Sequence, residues 1–167
     1  MARIGRIVVP GFPHHVTQRG NRRQPVFFEP SDYQLYRDLL AERCRKAAVE
    51  VYCLMPNHVH LVRTPRTPHA LARAIGETHR QYTAVINARA RWTGHLFQGR
   101  FSSVALDEAH LVAAARYVAL NPVRTRLVAR AQVHSVFRRS GNRFAAENAS
   151  NETVGLVERP RPSRGTR

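Results

Sequence analysis

Residues 14–28, HHVTQRGNRRQPVFF, partly alternate apolar and polar positions through Val16 and Gln18 into Arg22, and Pro25 interrupts before Val26–Phe28. That pattern predicts a strand, an Arg-rich turn at Gly20-Asn21, and a short return strand. From Glu29 the period changes. Pro30-Ser31-Asp32 marks a helix entry with Ser31 as N-cap, and Tyr33, Tyr36, Leu39, Leu40, Cys44 and Ala47 then recur at three- and four-residue steps. The result is a helix of about four turns whose other face carries most of Arg37, Arg43, Arg45 and Lys46. VEVYCLMP and VHLVRT flank the turn dipeptide Pro56-Asn57, so two antiparallel strands are expected at 49–55 and 58–64. A second helix is expected from near Pro68 through Leu71, Ile75, Tyr82 and Ile86 to Ala90. Residues 91–106 place Gly94 and Gly99 between aromatics and end in a strand-like stretch. Asp107 caps a third helix bearing Leu111, Val112, Ala115 and Val118. Asn121-Pro122 should interrupt it, because the residue before proline is pushed out of the α region, and a short fourth helix should start at Pro122. Beyond Arg143 apolar anchors become few. The expected division is one domain over 1–143 and a flexible basic C-terminal tail over 144–167.

Charge narrows the class. Lys and Arg number 27 against 11 Asp and Glu, a net charge of +16. All the cations but Lys46 are Arg, whose planar fork pairs with phosphate oxygens and stacks on bases. Hydrophobic residues at 43% supply a real core, which excludes a disordered basic tail as the whole protein. No apolar run approaches the roughly 20 residues of a membrane-spanning helix. Arg3 and Arg6 are not followed by a signal-type apolar segment. Cys44 and Cys53 form neither a disulfide framework nor a CxxC pair. The expectation is a cytoplasmic, nucleoid-associated protein that meets a polyanion and no membrane.

Several residues carry candidate chemistry. In His58-Val59-His60 the two imidazoles leave a strand on the same face, about 7 Å apart at Cβ, and can converge on one divalent ion. The same spacing also describes two histidines on the polar side of a half-buried strand. Tyr117 and Asn121 share a helix face at i, i+4. Asn121 can offer an amide oxygen to that ion, or cap the helix expected at Pro122. Tyr117 can attack a metal-polarised phosphodiester, or simply pack its ring. Cys53 with His58 and His60 makes a poorer zinc set, because no further thiolate is at hand. His95 and the pair His14-His15 lack ligand spacing and read as ordinary surface or hydrogen-bonded histidines. Arg19, Arg22 and Arg23 suit a phosphate backbone, and Asn21 or Gln24 can read a base edge. Gln98 and Arg100 form a second such cluster, with Trp92 and Phe97 as stacking faces for unpaired bases.

Four ordered segments, HVTQRGNRRQPVFF, YCLMPNHVHLV, GHLFQGRF and RYVALNPVR, resemble the REP-associated tyrosine transposases. These are single-tyrosine HUH (His-hydrophobic-His) endonucleases, and the likeness spans about residues 10–130. The resemblance implies an α+β fold with a ferredoxin-like antiparallel sheet and packed helices. It implies Tyr117 as nucleophile, with His58, His60 and Asn121 as ligands of Mg²⁺ or Mn²⁺. It further implies that single-stranded DNA is cleaved through a 5′-phosphotyrosine link and rejoined, on hairpin or palindromic repeat elements. Monomeric and homodimeric forms both fit it. Two other functions fit the same residues: a non-catalytic DNA-binding protein, and a metal-dependent nuclease whose nucleophile is water.

Overall fold

A computed structural model describes residues 7–44 and 49–125 of the chain. The elements run β1 (His14–Arg19), α1 (Pro30–Arg43), β2 (Val49–Met55), β3 (His58–Arg63), α2 (Ala70–Ala90), β4 (Ser102–Ala105) and α3 (Glu108–Arg124), with a short 3-10 turn at Asn21–Arg23. The strands form one antiparallel sheet in the order β2-β3-β1-β4. This β1-α1-β2-β3-α2-β4 sequence with that strand order is the ferredoxin-like arrangement, in which β3 is inserted between β1 and β2. The expected α+β class is therefore observed.

Alternation along the strands sorts side chains to two faces. Val16, Tyr52, Leu54, Val59 and Leu61 face α1 and α2, which contribute Tyr33, Tyr36, Leu40, Leu71, Ile75, Tyr82 and Ile86 to the main core. Buried hydroxyls there are paired: Tyr36 Oη meets His79 Nε2 at 2.9 Å, and Tyr82 Oη donates to the Val26 carbonyl at 2.7 Å. The opposite face is thinner. Cys53, Met55 and Val62 pack there against Leu106 and Val118 under α3.

Three local expectations differ from the structure. No return strand forms at Val26–Phe28. The amides of Val26 and Phe27 both donate to the Pro56 carbonyl, at 2.7 and 3.2 Å, and their side chains enter the main core. Sheet pairing is thereby replaced by a plug beneath the β2–β3 turn. The α1 cap is Glu29 rather than Ser31, in a reciprocal capping box with Asp32. Pro30 favours this, since its missing N–H is no loss at the first helical position. Asp32 also accepts from Arg89 Nη1 and Nη2, at 2.7 and 3.0 Å, which ties α1 to α2.

The third difference is at the end of α3. The helix runs through Asn121 and Pro122 to Arg124 without the expected break. Val118, Asn121 and Pro122 are all buried on its inner side, so packing against the sheet outweighs a local proline penalty of about 3 kcal/mol. Thr125 closes the helix, its amide and hydroxyl both donating to the Asn121 carbonyl, at 3.1 and 3.0 Å. Residues 122–124 thus belong to α3, while the rest of the fourth helix expected from Pro122, and the tail expected at 144–167, lie outside the described residues.

Candidate active site

The Pro56-Asn57 turn starts β3 so that His58 and His60 leave the sheet toward α3, while Val59 fills the main core. Their rings approach to 5.0 Å between centroids, nearly perpendicular at 82°. Burial lowers the His58 pKa, and the Arg19 cation lowers it further. At His60, burial first, then His58, His15 and Arg19, push it down to about 3. Both rings are therefore neutral near pH 7, the form that holds a lone pair for an electrophile.

Asn57 Oδ1 lies 2.6 Å from His58 Nδ1. A carbonyl oxygen can only accept, so the proton sits on Nδ1 and Nε2 keeps its lone pair. The amide is held in that orientation by its own Nδ2, which donates to the Arg23 carbonyl at 3.1 Å. His60 is held from the other side, with His15 Nε2 and His60 Nδ1 sharing one proton across 3.0 Å. The His15 and His60 rings stack at 5.2 Å and 17°. Tyr117, half-exposed on α3, sets its ring steeply inclined to both, 5.6 Å from His60 at 81° and 6.3 Å from His15 at 71°. The Arg124 guanidinium lies 5.9 Å from the Tyr117 ring centroid. Asn121, one turn beyond Tyr117, is buried, and its Nδ2 has no hydrogen-bond partner.

A cleft of about 270 Å³ opens beside the histidines, lined by Arg19, His58, His60, Gln98, Arg100 and Ser102, among others. The loop at 98–100 is fixed against β1. Gln98 N donates to the Arg19 carbonyl at 2.8 Å, and the Gln18 side-chain amide reaches the Gln98 and Gly99 carbonyls at 3.4 Å. Two Arg side chains and two imidazoles so border one space, as a phosphate ester with a metal ion would require.

Of the ten site residues expected from sequence, Arg19, His58, His60, Gln98 and Arg100 border this cleft, and the Tyr117 ring meets that of His60. Asn21 and Arg22 line a separate cavity, and Arg23 contributes its carbonyl to Asn57. Phe97 is no stacking face. It is buried against His79, with ring centroids 4.4 Å apart, whereas Trp92 is exposed. Cys53 is directly opposite His60 in the β2–β3 register but packs with Met55 and Val62, and burial pushes its thiol up to about 12. Among the described residues no group of three His, Cys, Asp or Glu could hold a metal, so a site here needs the amide of Asn121 or an exogenous oxygen beside the two histidines. Sequence reading missed His15 and Asn57. His15 reaches His60 only through the β1–β3 register, which sets it opposite Val62 on the histidine-bearing face.

A family profile described as "Transposase IS200 like" matches residues 9–121, from just before β1 to Asn121. The chain belongs to this family. All ten site residues expected from sequence lie inside the matched segment, and the resemblance carried by the four motifs is borne out. Among solved structures, a REP-associated tyrosine transposase bound to a REP hairpin superposes with a TM-score of 0.64, at 20% identity over 77% of each chain. A Deinococcus radiodurans R1 protein assigned as a transposase aligns at 19% identity, with a TM-score of 0.48, over 70% of this chain and 95% of its own. No curated protein sequence matches. No helix among the described residues of this IS200-like transposase is long and apolar enough to cross a membrane.

Proposed function

We propose that this chain cleaves and rejoins single-stranded DNA through Tyr117, with His58, His60 and Asn121 holding Mg²⁺ or Mn²⁺. The observation that carries the reading is the Tyr117 ring standing 5.6 Å from His60, which is itself paired with His58. The donor set suits a hard divalent ion. Two neutral imidazoles, one with its Nε2 lone pair fixed by Asn57, and an amide add no charge to offset the cation. Asn121 would bind through its amide oxygen, since its buried Nδ2, which has no hydrogen-bond partner, is a donor with no lone pair for a metal. When bound, such an ion would polarise the scissile phosphate and make the phenol a competent nucleophile.

Arg19 and Arg100 bind the phosphate backbone in the cleft, and the fixed loop at 98–100 sets the strand's approach to β1. Tyr117 Oη attacks phosphorus and loses its proton. The bond to the 3′-oxygen breaks, and that oxygen takes up a proton. The products are a 5′-phosphotyrosine and a free 3′-hydroxyl. Attack by a 3′-hydroxyl on the phosphotyrosine reverses the step, so joining needs no external energy source. A hairpin or palindromic repeat is the substrate proposed, supported by the REP hairpin in the structurally similar transposase.

The test incubates the protein with Mn²⁺ and labelled single strands from the ends flanking its own gene, followed by a denaturing protein gel. A labelled protein band that disappears in Tyr117→Phe and His58→Ala is expected. Cleaved DNA without a protein-linked product would make water the nucleophile. Binding without cleavage would make the chain a DNA-binding module.

A further inference from the structure

His14 and His15 are adjacent in β1 and leave it toward opposite faces of the sheet. The backbone settles His14. The Val9 amide donates to its Nε2 at 3.2 Å, so its proton is on Nδ1, which donates to the Phe12 carbonyl at 2.8 Å. His15 meets no backbone group in this way among the described residues. Its cross-strand neighbours are Val62 on β3 and Val104 on β4, whose side chains neither donate nor accept. Diagonal to it stands His60, opposite Thr17. The two rings are nearly parallel at 17°. His15 Nε2 and His60 Nδ1 are 3.0 Å apart where the centroids are 5.2 Å apart, so these nitrogens face each other between the rings.

A hydrogen bond between two neutral imidazoles has one proton and two possible owners. If His15 Nε2 owns it, His60 Nδ1 accepts and the proton of His60 is on Nε2, where no lone pair remains for an ion. If His60 Nδ1 owns it, His60 Nε2 keeps its lone pair and His15 carries its own proton on Nδ1. His58 has no such freedom, because the Asn57 oxygen at 2.6 Å only accepts. Nδ1 of each site histidine is thus engaged, which leaves Nε2 of each for an ion. Burial lowers the pKa of His15 as it does that of His60, so near pH 7 the pair differs in tautomer and not in charge.

We infer that His15 is a positioning residue, which accepts from His60 Nδ1 and so holds His60 in the tautomer whose Nε2 can bind the divalent ion. The inference rests on the proposed metal site. It gives a role to a histidine that ligand spacing does not mark, since only the β1–β3 register sets it beside His60.

The test labels the full chain with ring-¹⁵N histidine and records long-range proton–nitrogen correlations near pH 7 without metal, with His60→Ala to assign the His60 signals. A protonated Nδ1 and a bare Nε2 are expected at His60. His15→Phe keeps a flat ring but has no acceptor. There the His60 proton should move largely to Nε2, and Mn²⁺ affinity, read by calorimetry, should fall about 10–100-fold. His15→Gln offers a side-chain oxygen that can accept, and it should return both readings toward the parent. A role in packing alone would give the opposite ranking, with Phe the better substitute. A bare Nδ1 at His60 in the parent would overturn the inference, as would a His15→Phe protein with the His60 tautomer and Mn²⁺ affinity unchanged. A parent that carries the proton on His60 Nδ1 yet binds no Mn²⁺ would overturn the metal site and not the hydrogen bond.

Discussion

Alternate residues of β3 leave the strand in opposite directions, and the faces they serve differ in almost every physical respect. Toward α1 and α2, Val59 and Leu61 enter a core closed by three fully buried tyrosines, with the hydroxyls of Tyr36 and Tyr82 each paired. Toward α3, His58 and His60 meet His15, Tyr117 and a cleft edged by Arg19 and Arg100. The first face is dense and internally satisfied. The second keeps unmet valence: two neutral imidazoles, an orphaned amide on Asn121 and a half-exposed phenol. A strand's two-residue period lets one short segment serve stability and chemistry at once, because each face draws on different residues. In the proposed function the dense face holds the sheet still while the other offers its groups to a ligand.

That division is open to attack from both sides. The largest effect expected on the α3 face is Tyr117→Phe, which should abolish the protein–DNA adduct on a denaturing gel. Its unfolding free energy in urea should stay within about 0.5 kcal/mol of the parent, since the deleted hydroxyl is on a half-exposed side chain. On the other face, Leu61→Ala should cost about 2–5 kcal/mol in the same urea titration. The folded fraction should retain its adduct-forming rate. A variant that stayed folded yet lost the adduct would show that the faces are coupled.

Asn57→Ala should leave stability nearly unchanged but weaken Mn²⁺ binding, read by calorimetry, about 10–100-fold, because His58 loses the acceptor that fixes its tautomer. Unchanged affinity would assign Asn57 to the turn alone.

The smallest effect concerns acid. His79, packed between Tyr36 and Phe97, has its pKa lowered by burial to about 3. The unfolded chain therefore takes up this proton first as pH falls below about 6.5. Its stabilising contribution is complete above that value and is lost downward toward about 3, at up to about 1.4 kcal/mol per pH unit. His79→Gln should remove that increment of slope between about pH 6 and pH 5 in urea titrations. An unaltered slope would mean that the buried imidazole is not what couples this face to pH.

Much of this was legible in the residues. Three- and four-residue steps in α1 and α2 and the apolar runs around Pro56-Asn57 marked their elements, because helix and strand periods are local properties. Asp107 capped α3 as expected, its carboxylate accepting from the His110 amide at 2.8 Å. His58, His60 and Tyr117 stood out by spacing and by four motifs in order. Where local rules met long-range packing they failed. By local rules Pro122 breaks the helix, yet burial of Val118 and Asn121 against the sheet carries it past that point. By local pattern Val26 and Phe27 suit a strand, yet the Pro56 carbonyl claims their amides from across the fold.

The amino-acid order by itself determined most of the elements, the excess of basic residues and the two faces of β3, since each follows from composition or from neighbours a few positions apart. Only the tertiary structure decided which partners those faces meet. His15 reaches His60 across 45 positions, and Asn57 reaches Arg23 across 34, because the β1–β3 register and the β2–β3 turn bring them together. The Gly20–Phe97 bridge is likewise a contact between segments whose local patterns carry no trace of each other. Pairing register is a collective property of the whole sheet, fixed when its faces are buried together.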